Sequence, residues 1–255
     1  MQRKSNLIVS EQRIFAKKSL GQNFLSDKNV LRDIVKVSQI SAAQTIIEVG
    51  PGTGNLTEYL LETGAKVIAI EKDTSLIPVL EKRFHGIKNL QIVHNDILTW
   101  KDRIFLDNYS VIANIPYYIT SPILKLFLED SNILPNRIVV LVQKEFAEKA
   151  VLKPPRASGL AMYLNTFGEV HIARTVEKHY FSPVPKVDSA VLVISPNQKP
   201  DPAFLRFLHM GFMQPRKKLR NVIGSLLKNP PEAQMQRRAE ELTLDEWKTL
   251  FLTSN

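Results

Sequence analysis

Apolar and polar positions alternate in blocks along the middle of the chain. Short apolar runs at 45–50 (TIIEVG), 65–71 (AKVIAIE), 90–96 (LQIVHND), 109–114 (YSVIAN) and 137–143 (RIVVLVQ) read as strands. Helical spacing fills the intervals. Leu56, Tyr59, Leu60 and Leu61 share a face within 55–64, and Gly64 is a C-terminal stop. A second helix is expected over 76–84, with Pro78 near its start. A third spans 121–130, with Ser121 as N-cap and Pro122 at the first helical position. KEFAEKAV supplies a fourth. Repeated strand–helix units with near-continuous apolar strands predict an α/β fold with a mostly parallel sheet covered on both faces. Two late strands, 170–177 and 188–195, have no good helix between them and predict an antiparallel hairpin at one edge.

The pattern changes after Ser195. SPNQKPDP has the composition of a linker. The stretches AFLRFLHMGFM, KLRNVIGSLL, QMQRRAEEL and TLDEWKTLFL are expected to be helical throughout. The expected division is a domain over 1–198 with a basic N-terminal arm, and a small all-helical domain over 199–255.

Composition narrows the classes. The chain has 255 residues, 44% hydrophobic and 23% charged, as in a soluble globular protein. It has no cysteine, which excludes disulfides and thiolate chemistry and suits a reducing compartment. No apolar run approaches a membrane span, and the N-terminus lacks a signal-peptide core, so a cytoplasmic location is expected. The five His are scattered without metal-ligand spacing, and no metal is expected.

Net charge is +9, and its distribution says more than its size. Residues 1–28 hold six Lys/Arg against two Asp/Glu, and residues 196–255 hold ten against six. The body between them is nearly neutral, with eighteen against seventeen. Two basic ends on a neutral body suit a polyanion, most simply nucleic acid; a solvated helix face with a basic tail would look the same. The densest cluster is Arg216, Lys217, Lys218 and Arg220, with Lys17 and Lys18 at the other end.

EVGPGTGNLT (48–57) joins the first strand to the first helix of the repeat. Gly50, Gly52 and Gly54 allow a tight turn and close approach of a ligand, although many α/β proteins place glycine here for turn geometry alone. Glu71 ends the second strand, where a carboxylate can accept both ribose hydroxyls. Asp96 ends the third in the same register. Taken singly, Glu71 could be a surface acid and Asp96 a turn cap. Together, two acids would repel a phosphate and attract a ribose with an adenine amino group on a cationic cofactor. That favours S-adenosylmethionine over NAD. The next strand delivers NIPYY. A flat ring with an exocyclic amine would stack on Tyr117, while Asn114 and a carbonyl near Ile115–Pro116 accept its hydrogens. A plain strand-end turn with Tyr packing is the structural alternative.

KKSLGQNFL, EVGPGTGNLT, VIAIEKD, HNDIL, NIPYYITSPIL, FSPVPKVDSAV and RKKLRN occur in this order. From about residue 13 to the C-terminus the chain resembles the KsgA-like family of small-subunit ribosomal RNA adenine dimethyltransferases. Erm enzymes, which methylate large-subunit RNA, share QNF and NIPY, but LGQNFL and the FSPVPKVDSAV context fit the KsgA side better. The resemblance implies a Rossmann-like methyltransferase sheet and an S-adenosylmethionine cofactor. It places Gln22, Asn23 and Leu25 over that cofactor, Gly50 and Gly52 at its methionine part, Glu71 at the ribose, and Asp96 with Ile97 at the adenine. Asn114, which also borders the cofactor, Ile115, Pro116 and Tyr117 would form the target-base site, with Phe181 stacking on the other face. The implied reaction is two methyl transfers to N6 of each of two adjacent adenosines, on a pre-30S-type particle, by a monomer. A non-catalytic ribosome-assembly or RNA-binding role on the same fold is the alternative. PPRASGLAMYLN (154–165) departs from the family's Tyr-Gly-Arg-Leu-Ser-like stretch.

Overall fold

A computed structural model of the chain describes residues 7–9, 12–14, 16, 17, 20–100 and 107–253. Its elements are β1 (Leu7–Val9), β2 (Gln12–Ile14), β3 (Phe24–Leu25), α1 (Lys28–Ser38), β4 (Thr45–Val49), α2 (Asn55–Leu61), β5 (Lys66–Glu71), α3 (Ile77–Arg83), β6 (Leu90–His94) and β7 (Tyr109–Asn114). There follow α4 (Thr120–Leu128), β8 (Arg137–Gln143), α5 (Lys144–Ala150), α6 (Gly159–Phe167), β9 (Gly168–Val176), β10 (Phe181–Ser182), β11 (Ser189–Pro196), α7 (Pro202–Phe212), α8 (Arg220–Ile223), α9 (Glu232–Met235) and α10 (Leu244–Leu252).

Seven strands form the main sheet in the order β6-β5-β4-β7-β8-β11-β9. The neighbours from β6 to β8 pair in parallel, with β4 central between β5 and β7. Strand order reverses at β4, so the crevice beyond the carboxyl ends of β4 and β7 is where an open α/β sheet takes its ligand. Lys144 N, just past β8, bonds Asp188 O, just before β11, at 3.0 Å, so β11 runs against β8. Gly168, the first residue of β9, packs on Ser195 near the end of β11. The edge pair is therefore antiparallel, as the missing crossover helix predicts. β4 and β5 are buried almost end to end because α1 and α2 cover them through Val30, Leu31, Ile34, Leu56 and Leu60.

The chain divides into two compact units, Met1–Lys144 with Ile172–Val193, and Glu145–His171 with Ile194–Asn255. This differs from a boundary at 198. Residues 145–171 belong with the C-terminal helices because Ala157 and Met162 enter the same core as Phe204, Phe207, Leu219 and Trp247. Trp247 is wholly buried there, edge-on to Phe207, and Gly211 makes room for it. Ser158, in the divergent PPRASGL stretch, caps α6 through Ala161 N at 2.9 Å.

Two helical expectations need correction. QMQRRAEEL is mostly irregular, with only the short α9 and a 3-10 turn at Ala239–Glu241. Arg237 is held there by Glu246 and by Glu241 O, so side-chain bonds take the place of a helical ladder. Ser121 is not an N-cap. A 3-10 turn at Tyr117–Ile119 runs directly into α4, and Thr120 Oγ1 bonds Tyr117 O at 3.0 Å. Pro122 then sits in the first turn, where its missing N–H costs nothing.

Candidate cofactor and base site

The carboxyl ends of β4, β5 and β7, the segment after β6 and the stretch 20–25 surround one cavity that opens to solvent. It is lined by Gln22, Asn23, Leu25, Gly50, Gly52, Glu71, Asp96, Ile97 and Asn114 through Tyr117. The first unit alone builds it.

The loop after β4 turns through Gly50 and Gly52, at φ +67° and +62°, a region that side-chain-bearing residues rarely adopt. A Cβ on Gly50 would meet no protein atom within 4 Å, whereas one on Gly52 would strike Phe24 at 2.9 Å. The loop thus presents bare backbone at Gly50 and is covered by the ring of Phe24 at Gly52.

Glu71 locks this loop. Its Oε2 accepts from Gly52 N at 3.0 Å and its Oε1 from Asp73 N at 2.8 Å. The side chain is nearly buried, and burial raises its pKa against those two N–H bonds. A carboxylate has about four lone-pair positions, so each oxygen keeps room for a ligand hydroxyl. Asp96 is differently held: Oδ2 pairs with Lys72 Nζ at 2.8 Å and Oδ1 accepts from Leu98 N at 3.0 Å. Partial burial would raise its pKa, and the Lys72 and Leu98 bonds outweigh this and lower it. Ile97 beside it is buried and apolar.

The stretch 20–25 is fastened from two sides. Gln22 Nε2 bonds Asp73 Oδ2 at 2.9 Å, and Lys17 Nζ pairs with Asp73 Oδ1 at 2.5 Å. The Asp73 side chain is 1% exposed. Burial opposes its ionisation, but Lys17, Ser75 and Gln22 prevail and lower its pKa to about 2. On the other side, Asn55 Nδ2 bonds Leu25 O at 2.8 Å, and β3 pairs with β10. Lys17, expected on RNA phosphate, has Asp73 as its ion-pair partner within the chain. Lys18 lies outside the described residues.

Asn114 Nδ2 donates to Asn23 O at 3.1 Å. That bond selects the amide orientation and leaves Oδ1 as the acceptor for a ligand. Pro116 O is taken by Ile119 N at 3.1 Å, which leaves Ile115 O as the main-chain acceptor in the motif. Tyr117 is half-buried and its hydroxyl meets Ser189 Oγ at 2.7 Å, so its ring is tethered at the far end. Burial raises its pKa. Tyr118, which the sequence reading passed over, lines the same cavity and is 62% exposed. An aromatic after an aromatic gives no signal of which one faces out.

Phe181 does not line the cavity. It is 3% exposed, opposite Leu25 in the β3–β10 pair, within the core of Leu25, Leu31 and Leu56. The short β10 turns it inward, so the expected free stacking face is absent. Glu48 is a second surprise. It reads as one polar residue in an apolar strand, yet it lines the cavity while 1% exposed.

The basic cluster of the second unit divides likewise. Leu219 is fully buried and anchors the run. Arg220 pairs with Glu232, and Lys218 Nζ bonds Gln236 Oε1 at 3.1 Å. Arg220, expected on RNA phosphate, thus already has a carboxylate partner within the chain. Arg216 and Lys217 are exposed and have no ion-pair partner among the described residues.

Burial of Phe181 makes a prediction. Phe181→Ala loses about 3–5 kcal/mol of stability in urea unfolding, as core aromatic truncations do. Full stability with slowed turnover would instead return the ring to the base site.

Comparison with known proteins gives the family and the fold. Residues 14–251 match the family model described as ribosomal RNA adenine dimethylase. A Dehalococcoides mccartyi protein named ribosomal RNA small subunit methyltransferase A is 38% identical, covering 93% of this chain and 88% of that one. Among solved structures, a dimethyladenosine transferase from Plasmodium falciparum superposes with a TM-score of 0.79 at 26% identity, over 89% of this chain and 96% of that one. The 23S rRNA methyltransferase ErmE superposes with a TM-score of 0.77 over 91% and 99%, a likeness of fold at 24% identity. The chain belongs to the ribosomal RNA adenine dimethylase family.

Proposed function

We propose that Asn114 to Tyr117 hold a flipped adenine beside the cofactor cavity, and that this chain methylates it. The enzyme is an S-adenosylmethionine-dependent adenine-N6 dimethyltransferase of small-subunit ribosomal RNA. The cavity fits that cofactor by its chemistry. Bare backbone at Gly50 and the unpartnered Oε2 of Glu48 are features that a bound ligand would complete. When bound, S-adenosylmethionine supplies a sulfonium methyl group activated for transfer.

The residues of the chain do the positioning. Glu71 offers its remaining lone pairs to the ribose hydroxyls. Ile97 gives an apolar wall for the adenine, and Asp96 an acceptor near its edge. Gln22, Asn23 and Leu25 close the cavity from the stretch that Asp73 fastens. An aromatic amine is a poor nucleophile because its lone pair is delocalised into the ring. Asn114 Oδ1 and Ile115 O, accepting its two hydrogens, hold it in attack geometry and favour its tetrahedral form. Such positioning is worth several kcal/mol. The amine sheds its proton after transfer, so no buried base is required. Tyr117 supplies the stacking face.

The carrying observation is the Asn114–Asn23 bond, which aims the amide and ties the base site to the cofactor strap. It favours live catalysis over a purely structural assembly factor on the same fold. The relatives named for the small subunit favour that target over the large-subunit one. A pre-30S-type particle as substrate, action as a monomer and a cytoplasmic location complete the proposal. No helix among the described residues is long and apolar enough to cross a membrane.

The test is transfer of labelled methyl groups into under-methylated small subunits. Asn114→Ala is expected to lower the rate at least a hundredfold, on the order of the 2.7–4 kcal/mol seen when one aimed polar group is removed, while cofactor affinity changes far less. Wild-type rates in this variant would remove Asn114 from the base site. For RNA binding, Arg216→Ala with Lys217→Ala flattens the salt dependence by about two counter-ions, roughly one per phosphate contact. Arg220→Ala alone leaves the slope unchanged, because its charge is already paired. An equal loss of slope from Arg220→Ala would reverse that assignment.

A further inference from the structure

Glu48 is the acid of the cavity that nothing in the chain satisfies. It lies on β4 opposite Ala69, two residues before Glu71 on β5, and its Oε2 is buried without a hydrogen-bond partner. The other acids of the cavity are occupied, Glu71 by two backbone N–H groups and Asp96 by Lys72, and so is Asp73 next to it, by Lys17. The groups around Glu48 do not neutralise it. Glu71 from β5 repels it. Arg83 from α3 attracts it, but its guanidinium is bonded to Thr53 O, Asn55 Oδ1 and Glu58 Oε2. From α2, Thr57 Oγ1 faces it outside hydrogen-bond geometry. β7 presents Ile112 in register and no charge.

An ionised carboxylate at this depth without a partner is costly, and the group stays protonated instead. Burial drives its pKa up to about 8, with Glu71 adding to the rise and Thr57 and Arg83 restraining it. On the reading of the cavity as a cofactor site, one partner can change that balance. S-adenosylmethionine carries two positive groups. Its sulfonium has no donor, but its ammonium has three, which match an orphan carboxylate oxygen.

We propose that Glu48 is the counter-ion of the cofactor's ammonium group, neutral in the cofactor-free protein and ionised on binding. The carboxyl O–H proton passes to solvent, and the new carboxylate accepts from the ammonium. Cofactor binding is then linked to proton release. Below about pH 8 the free protein holds the proton, so affinity rises with pH, by up to tenfold per unit, until Glu48 ionises unaided.

Calorimetric titration at pH 7, in buffers of different ionisation enthalpy, counts the protons. Wild-type protein binding S-adenosylmethionine is expected to release about one proton more than Glu48→Gln. The variant is uncharged and similar in shape, so it mimics the protonated state, and a melting curve checks its fold. It also subtracts any proton exchanged by the cofactor's own amino group. S-adenosylhomocysteine, which keeps the ammonium and lacks the sulfonium, gives the same excess. 5′-Methylthioadenosine, which lacks the ammonium, gives none. Equal proton counts for wild type and Glu48→Gln would overturn the assignment, as would an excess with methylthioadenosine or its absence with the homocysteine. Failure of the wild type to bind S-adenosylmethionine at all would overturn the cofactor reading itself.

Discussion

The buried carboxylate of Glu71 holds two segments at once. Through Gly52 N it fixes the glycine loop after β4, and through Asp73 N it fixes the turn after β5. Asp73 in turn receives Lys17 and Gln22, so a continuous chain of bonds runs from the loop to the stretch that closes the cavity. Glycine in the left-handed region is what lets Gly52 N turn toward that carboxylate. Without Glu71 the loop would keep buried N–H groups unsatisfied, at about 1–3 kcal/mol each. The cavity walls are thus set by a single acid that also keeps lone pairs for a ligand.

A division of labour among charges follows. Acids with partners, such as Asp73 and Asp96, are held ionised and shape the protein. Glu48, without one, stays neutral until a cation arrives. The cationic side chains divide in the same way. Lys17 and Arg220 pair with the chain's own carboxylates, and Arg216 and Lys217 are exposed without an ion-pair partner among the described residues. Residue type alone does not separate these roles, because an ion pair depends on what the fold brings opposite.

The strand–helix repeat was legible because β4, β5, β7 and β8 are buried along most of their length and so carry near-continuous apolar runs. The strand-end residues of the cavity were legible for a related reason: parallel strands deliver their carboxyl ends to one edge. Harder to read were the features set by distant contacts. Residues 145–171 join the C-terminal helices through packing of Ala157 and Met162, which no linker composition announces. Phe181 turns inward because a two-residue strand pairs it with Leu25, far away in sequence. QMQRRAEEL has helical composition, but Glu246 and Glu241 capture Arg237 and hold the segment open. Glu48 is a single acid in an apolar strand, and burial without a partner leaves no mark in sequence.

Central to the account is that Glu71 receives the cofactor ribose while it pins the loop. Calorimetry with S-adenosylhomocysteine on wild type and Glu71→Ala tests this most directly. Affinity is expected to fall by at least about 1.5–3 kcal/mol, the value of hydrogen bonds to a charged group, with further loss from the freed loop. Unchanged affinity in a folded Glu71→Ala protein would contradict the account, because the ribose would then sit elsewhere and the loop would not need its anchor.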